Sequence, residues 1–403
     1  METKNACAVT VEDSGLSSRL NSMPLLEGVP MDAQTACPAC GASLEVCARL
    51  VPKGGAKAVR YGLCPKCGYM GYIDRPTQKW IIDFYSKDWD QEFIRTPEQM
   101  REDADIMMRK GGKISRYLAA TLVEKLDVDK TKAVCEIGTG YGLVLEYFKR
   151  NGFTKLIGVE NSKHRAELVK KVFGFEVLHG GFEEESVQEG LRAAGPIGLF
   201  FSHHVFEHTY HPADIIRKVS ALQKEGDHII FSLPNADGEH IQYALLYVLH
   251  LHSFTKESLE ALFNRYGYEM VADASPDRTN IIVAAKKVAQ PQARYRTSKD
   301  HRAEFVKRFR KGFRLDEADG KPYAIYWEQK PEEADTAIVE MHAALPALTR
   351  FWWLMRKGLD YVKSRWLERV TAGHRLLLRA SSDAPADGAC EIRFDGDVLF
   401  YIK

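Results

Sequence analysis

The sequence predicts an α/β protein: a parallel sheet covered on both faces by helices, with a small metal-binding ribbon ahead of it and an α+β extension behind it. Three observations predict this. Between Thr131 and Val288, short apolar runs alternate with amphipathic stretches of helical period. The first run, Ala133–Ile137, ends in a glycine-rich turn, Gly138-Thr139-Gly140-Tyr141-Gly142. Upstream, Cys37-Pro38-Ala39-Cys40-Gly41 and Cys64-Pro65-Lys66-Cys67-Gly68 repeat one C-P-x-C-G pattern.

At 403 residues the chain is long enough for two or three domains with full cores. A net charge of +1 gives no general pull toward nucleic acid, so no nucleic-acid partner is expected. No apolar run is long enough to span a membrane, and Met1 to Asn5 are not followed by the apolar core of a secretory signal. Four of the eight cysteines fall into the two tight pairs, which points to a metal in a reducing compartment and a cytoplasmic location.

Residues 1–34 are small, polar and aperiodic, and read as a mobile arm in which Cys7 is a free thiol. Residues 35–75 read as a zinc ribbon. Thiolates three positions apart grip one face of a tetrahedral ion, and the trailing glycine permits the turn that aims N–H groups at sulfur. Cys37, Cys40, Cys64 and Cys67 therefore form a closed structural Zn2+ site, with Cys47 a spare buried thiol. Residues 76–130 read as a helical linker and cap. Trp80, Ile81, Phe84 and Tyr85 have helical spacing, as do Ile114, Tyr117, Leu118, Thr121, Leu122 and Leu126. Tyr72, Phe84, Tyr85 and Trp89 suit core packing first and a substrate mouth second.

Residues 131–290 hold the alternating domain, with strands expected at Ala133–Ile137, 155–160, Glu176–His179, 198–202, 228–233, 269–272 and 281–286. Helices are expected between them, for example at 212–224 and 255–266. Ligands of such sheets collect at the carboxyl ends of the strands, where Glu136, Gly138, Glu160 and Ser202 to Glu207 fall. Glu160 closes the second strand, placed to accept hydrogen bonds from a ribose diol. In the extension, 291–403, Arg294 to Arg314 is basic and reads as a solvated helix face rather than a phosphate patch. Tyr323 to Trp327 alternates like a strand. Phe351, Met355, Leu359, Val362, Trp366 and Val370 form a helical stripe suited to a core or a homodimer contact. His374 to Arg379 and Cys390 to Lys403 read as β-structure, with Asp395-Gly396 as a hairpin turn.

The turn is Glu-x-Gly-x-Gly-x-Gly, not the G-x-G-x-x-G of dinucleotide sites. It resembles the first motif of class I S-adenosylmethionine (SAM) methyltransferases. Phe206-Glu207-His208 with Pro212 resembles that family's "LEHxxxP" signature, Ser232-Leu233-Pro234-Asn235 its "S-x-P-N", and His252-Ser253-Phe254-Thr255 a pre-helix "H-x-F-T". Paired CPxCG ribbons occur among relatives that methylate sugars and other small metabolites. The resemblance covers roughly 37–288 and implies a Rossmann-like class I methyltransferase sheet with SAM as cofactor. It implies that Glu136, Gly138, Gly140, Gly142 and Glu160 hold SAM and that Phe182 lies at its adenine. Ser202 and His203 stand where the family often has Asp.

Methyl transfer to a hydroxyl needs alignment and a base, and histidine is the side chain matched to that task near neutral pH. His204 or His208 is the expected base, with Glu207 beside them. A sharper variant adds a second divalent metal. His204, Glu207, His208 and the distant His252 form an H-x-x-E-H…H set that resembles the E-x-x-E-H…H metal site of small-RNA 2′-O-methyltransferases. The expected function is SAM-dependent methylation of a hydroxyl on a sugar, a nucleotide-linked sugar or a glycan. Sugar C-methylation, RNA methylation and a non-catalytic SAM-binding scaffold are the alternatives.

Overall fold

The computed structural model describes residues 9–13, 29–51, 59–87, 95–110, 119–238, 249–275, 280–295 and 299–305, and five strands between 327 and 402. In chain order the first elements are strands β1 (Val9–Asp13), β2 (Met31–Ala33), β3 (Glu45–Val51), β4 (Val59–Leu63), β5 (Met70–Tyr72) and β6 (Asp74–Pro76), then helices α1 (Gln78–Lys87) and α2 (Pro97–Lys110). The alternating region follows as β7 (Ala133–Ile137), α3 (Leu143–Arg150), β8 (Leu156–Glu160), α4 (Lys163–Phe173), β9 (Glu176–His179), α5 (Glu185–Ala193) and β10 (Ile197–His203). It continues as α6 (Pro212–Leu222), β11 (His228–Pro234), β12 (His252–Ser253), α7 (Lys256–Arg265), β13 (Tyr268–Asp273) and β14 (Asn280–Lys287). The extension contributes β15 (Trp327–Gln329), β16 (Ala337–His342), β17 (Arg375–Ala380), β18 (Cys390–Phe394) and β19 (Val398–Ile402).

The central seven-stranded sheet has the order β13-β14-β11-β10-β7-β8-β9. Every residue of β7 and β8 is buried, as expected of central strands covered on both faces. From β9 to β11 all neighbours are parallel. The edge departs from the all-parallel expectation: β14 runs antiparallel to both β11 and β13. The chain between β13 and β14 is too short for a helical crossover, so the strand must return antiparallel. The helix ends follow local chemistry. Ser162 caps α4 by accepting from Arg165 N at 3.1 Å, and Pro212 opens α6 at a position where no intrahelical N–H is needed.

The sheet has two cores. One face packs Val134, Leu199, Phe201 and Ile230 against Met107, Phe148 and Val169. The other packs Phe200, Phe231 and Val283 against α6 and α7, and its core runs on into Cys37, Ala39, Cys64, Cys67 and Tyr69 of the ribbon. The link is a strand pair: β5 pairs antiparallel with β12, His252 opposite Gly71 and Ser253 opposite Met70.

Several expectations outside the central sheet change. Val9–Asp13, assigned to the arm, is a strand parallel to β3 and antiparallel to β19. Met31–Ala33, also assigned to the arm, is a strand antiparallel to β6. Strands β17 and β18 are antiparallel, as are β18 and β19, while the turn expected at Asp395-Gly396 lies outside the described residues. Ile114, Tyr117, Leu118, Trp89, the stripe from Phe351 to Val370 and most of the basic stretch lie outside the described residues. No helix among the described residues is long and apolar enough to cross a membrane.

Candidate active site

The glycine-rich turn joins β7 to α3. Gly140 and Gly142 have φ of +54° and +73°, the left-handed region that disfavours a side chain. The two differ in surroundings. A Cβ on Gly142 would stand 2.8 Å from Val169 Cγ1, whereas a Cβ on Gly140 would have nothing within 4 Å. Gly138 admits no side chain either, because its Cβ would meet Val205 Cγ2 at 2.3 Å. Gly142 thus serves packing, and Gly140 leaves open space above the turn.

Two buried carboxylates stand near the carboxyl ends of β7 and β8. Glu136 is 4% exposed, and its Oε2 is buried without a hydrogen-bond partner. Burial, reinforced by the Glu160 charge, pushes its carboxyl well above the usual range. Glu160 accepts from Gly140 N at 2.7 Å and from Ser162 N at 3.0 Å, which locks the turn onto the end of β8. Phe182 follows β9, and its ring packs in the core edge-on to Phe200 at 5.9 Å. Ser202 is buried in register with Phe231 and Ile137, and His203 ends β10 with its ring 4.5 Å from His204.

Beyond β10 the chain turns sharply. Among the described residues His204 is the single non-glycine residue with positive φ, at 52°. Its N–H donates to Ser232 O at 2.8 Å, which anchors the bend to the end of β11. Phe206–His208 then forms one 3-10 turn whose Phe206 ring stacks on Phe254 at 5.3 Å. This turn carries Glu207, 1% exposed, inward beneath the histidines. His204 Nδ1 lies 3.2 Å from Glu207 Oε1 and His208 Nε2 3.8 Å from it, yet neither carboxylate oxygen has a well-directed hydrogen bond. Burial works against the Glu207 charge, but His204, His208 and His250 outweigh it and hold the carboxyl down to about 2. Burial pushes the His208 and His250 rings below the usual imidazole range.

The ligand atoms that converge around Glu207 are those of His208 and His250, so the expected set is corrected at two positions: His204 touches Glu207 without joining the group, and His252 lies outside it. His252 is buried with both ring nitrogens engaged, Nδ1 with Tyr69 OH at 2.5 Å and Nε2 with Thr209 O at 2.8 Å. It ties the ribbon to the turn and contributes nothing to the cluster. His250 takes that place, its ring 4.7 Å from His208. Sequence reasoning missed His250 because the H-x-F-T pattern singled out His252 two residues later. Tyr85 proves to be the aromatic of α1 that reaches the site, its hydroxyl 2.8 Å from His208 Nδ1. Tyr72 packs edge-on to Tyr61 and Phe84 stacks on Trp80, both as core.

The four knuckle cysteines converge, with Sγ atoms 3.6 Å apart for Cys37 and Cys67 and 3.5 Å for Cys40 and Cys64. Tetrahedral Zn–S bonds of about 2.3 Å place sulfurs at about this separation, so the cluster could hold zinc. Cys47 is a buried thiol facing Tyr61 O, as expected.

Residues 111–273 match the family model described as "Methyltransferase domain". These residues carry a methyltransferase domain. The chain is 28% identical over 90 residues, 22% of this chain, to EEF1A lysine methyltransferase 2 of Danio rerio, and spans 39% of that protein's length. Among solved structures it is similar to the plantazolicin methyltransferase BpumL in complex with SAH, at 15% identity, 51% of this chain, 94% of that chain and a TM-score of 0.37. It is also similar to a SAM-dependent methyltransferase from Archaeoglobus fulgidus, at 17% identity, 45% of this chain, 99% of that chain and a TM-score of 0.34.

The residues of the methyltransferase domain fit the cofactor. The open space over Gly140 admits a ligand against the backbone, and the orphaned Glu136 Oε2 can accept from a cationic amine. Glu136, Gly138, Gly140 and Glu160 could hold it at the carboxyl ends of β7 and β8, beside the histidine turn after β10.

Proposed function

We propose that this chain is a methyltransferase that acts on a hydroxyl of a sugar, a nucleotide-linked sugar or a glycan, with His204 as base and Glu207 as its orienting carboxylate. When bound, SAM supplies an electrophilic methyl group on a sulfonium. The single observation that carries the reading is the contact between Glu207, 1% exposed, and His204 Nδ1 at 3.2 Å. A carboxylate there favours the proton on Nδ1 and leaves Nε2 of the part-exposed ring able to take a proton from an acceptor.

The choice of a hydroxyl follows from that chemistry: a hydroxyl at neutral pH holds its proton and gains from a positioned base. His208 supports the bend rather than acting as base, since its Nδ1 faces Leu249 O and Tyr85 OH, both at 2.8 Å. Glu136 and Glu160 serve the cofactor ends, Phe182 backs the adenine side from the core, and Ser202 and His203 border the cofactor at the end of β10. The four-cysteine ribbon supports a sugar or small-metabolite acceptor, because the sequence resembles ribbon-bearing enzymes of that kind. A protein amine is the second reading, favoured by the relative named as a lysine methyltransferase.

The test is transfer of labelled methyl from SAM into fractions of a cell extract. Label in nucleotide sugars or glycan, lost in His204→Ala with SAH binding intact, supports the reading. Label in protein selects the second reading. Full transfer by His204→Ala removes the base assignment.

A further inference from the structure

We infer that Glu207, His208 and His250 form a divalent-cation site at the acceptor side of the proposed methyltransferase centre. One ligand atom from each residue lies within 4.8 Å of the others. The carboxylate is the centre of the cluster: Glu207 is 1% exposed, and neither oxygen has a well-directed hydrogen bond. A buried carboxylate with neither oxygen so satisfied is a natural ligand for a cation.

The tautomer of His208 points the same way. Leu249 O stands 2.8 Å from Nδ1, and a carbonyl can only accept, so Nδ1 carries the proton. Nε2 then presents a lone pair to Glu207 Oε1 across 3.8 Å. Two lone pairs facing each other repel unless a positive centre lies between them. A proton would bridge two of the three groups, whereas a metal ion serves all three. Bonds of about 2.0–2.2 Å to nitrogen and oxygen put neighbouring ligand atoms about 3–4 Å apart, which the 3.8 Å spacing meets. The backbone carbonyl and the Tyr85 hydroxyl on Nδ1 are the outer partners that fix a metal-bound imidazole.

Two imidazoles and one carboxylate suit Zn2+, Mn2+, Fe2+ or Co2+ and leave coordination positions open. The acceptor class is then a molecule with two adjacent oxygens, such as a vicinal diol, one oxygen of which gives its proton to His204 once bound to the cation. His204 keeps its own contact with Glu207 at 3.2 Å. This step deepens the proposed function, but its test needs no turnover.

The experiment titrates Co2+ into the full chain with its ribbon cysteines already loaded with zinc, reading visible ligand-field bands. One equivalent of Co2+ without thiolate charge-transfer absorption is expected. His250→Ala and Glu207→Gln should each weaken uptake by about 100-fold or more, and Tyr85→Phe by about 10-fold. Thermal melts confirm that each variant is folded. No uptake by the parent chain, uptake with thiolate absorption alone, or equal uptake by His250→Ala and Glu207→Gln overturns the site. Cobalt uptake without methyl transfer to any acceptor would sink the proposed activity and leave the cation site standing; methyl transfer without uptake would do the reverse.

Discussion

Alanine at Gly140 and at Gly142 separates cofactor approach from packing, because the two glycines share a backbone and differ in what lies above it. Both have positive φ, so each alanine carries the left-handed penalty of about 1–2 kcal/mol. At Gly142 the new Cβ also stands 2.8 Å from Val169 Cγ1 in a packed core, an overpacking term of about 1–3 kcal/mol. At Gly140 nothing lies within 4 Å, so the backbone term stands alone. With about 2–4 °C of melting temperature per kcal/mol, Gly140→Ala should melt about 2–8 °C low and Gly142→Ala about twice that. Ligand binding should rank the other way. The methyl of Gly140→Ala fills the space proposed for the cofactor, and SAH affinity should fall at least about tenfold, a loss of about 1.4 kcal/mol. Gly142→Ala should stay within about threefold once its stability is allowed for. Calorimetry of melting and of SAH binding reads both. Parental affinity in Gly140→Ala would refute the placement of the cofactor over the turn.

Three further outcomes follow from the same contacts. Glu207→Gln keeps the shape beneath His204 and removes its charge, so transfer should fall about 100- to 10,000-fold while SAH affinity holds; an equal loss of both would show that Glu207 supports the cofactor. Tyr69→Phe leaves buried His252 Nδ1 without its hydroxyl partner and should lower stability by about 1–3 kcal/mol in denaturant titration; no change would show that contact to be idle. Burial pulls the Asp273 carboxyl upward, but hydrogen bonds from Lys256, Ser275 and Tyr295 outweigh it and hold it at about 2 against the usual 3.8. A depressed carboxyl stabilises above its unfolded value and loses that contribution as pH falls from about 4 to about 2. Asp273→Asn should flatten the stability curve across that window, and an unchanged slope would discount the contact.

Where local pattern and fold agreed, the sequence was readable. The strand expected at residues 155–160 begins one residue later, as Leu156–Glu160, because a buried parallel strand is a short apolar run between turn signals, and Glu176–His179 matches as a partly exposed edge strand. The antiparallel edge was not readable from apolar runs alone, since β14 is as apolar as the parallel strands of the sheet and only the short connection sets its direction. At the site, Glu207 and His208 were legible as a motif, but the choice between His250 and His252 was not. That choice depends on Tyr69 and Thr209 engaging both nitrogens of His252, and Tyr69 is 183 residues away in sequence.

The same long-range contact gives the ribbon a reach into the centre. Cys67 lends its carbonyl to Thr255 Oγ1 at 3.1 Å, and Thr255 caps α7 with Ser258. Tyr69 holds His252, Tyr61 OH donates to Ser253 Oγ at 2.8 Å, and β5 pairs with β12. Phe254, between them, stacks on Phe206 of the turn that presents Glu207. Every one of these bonds falls on the segment that follows His250, and none falls on the glycine turn, which β7, β8 and Glu160 hold. Removing metal from the four cysteines should therefore loosen the acceptor side first. A Cys64→Ser chain, or one stripped by a thiol-competing chelator, should lose transfer by about tenfold or more while binding SAH within about threefold of the parent, as expected when an outer partner of a site is removed. Hydrogen exchange at 249–255 should rise in step, because local opening is set by the contacts that tie a segment down. If SAH affinity and transfer fall together, the ribbon supports the whole sheet through their shared core, and the selective coupling drawn from Tyr69, Thr255 and Phe254 is wrong.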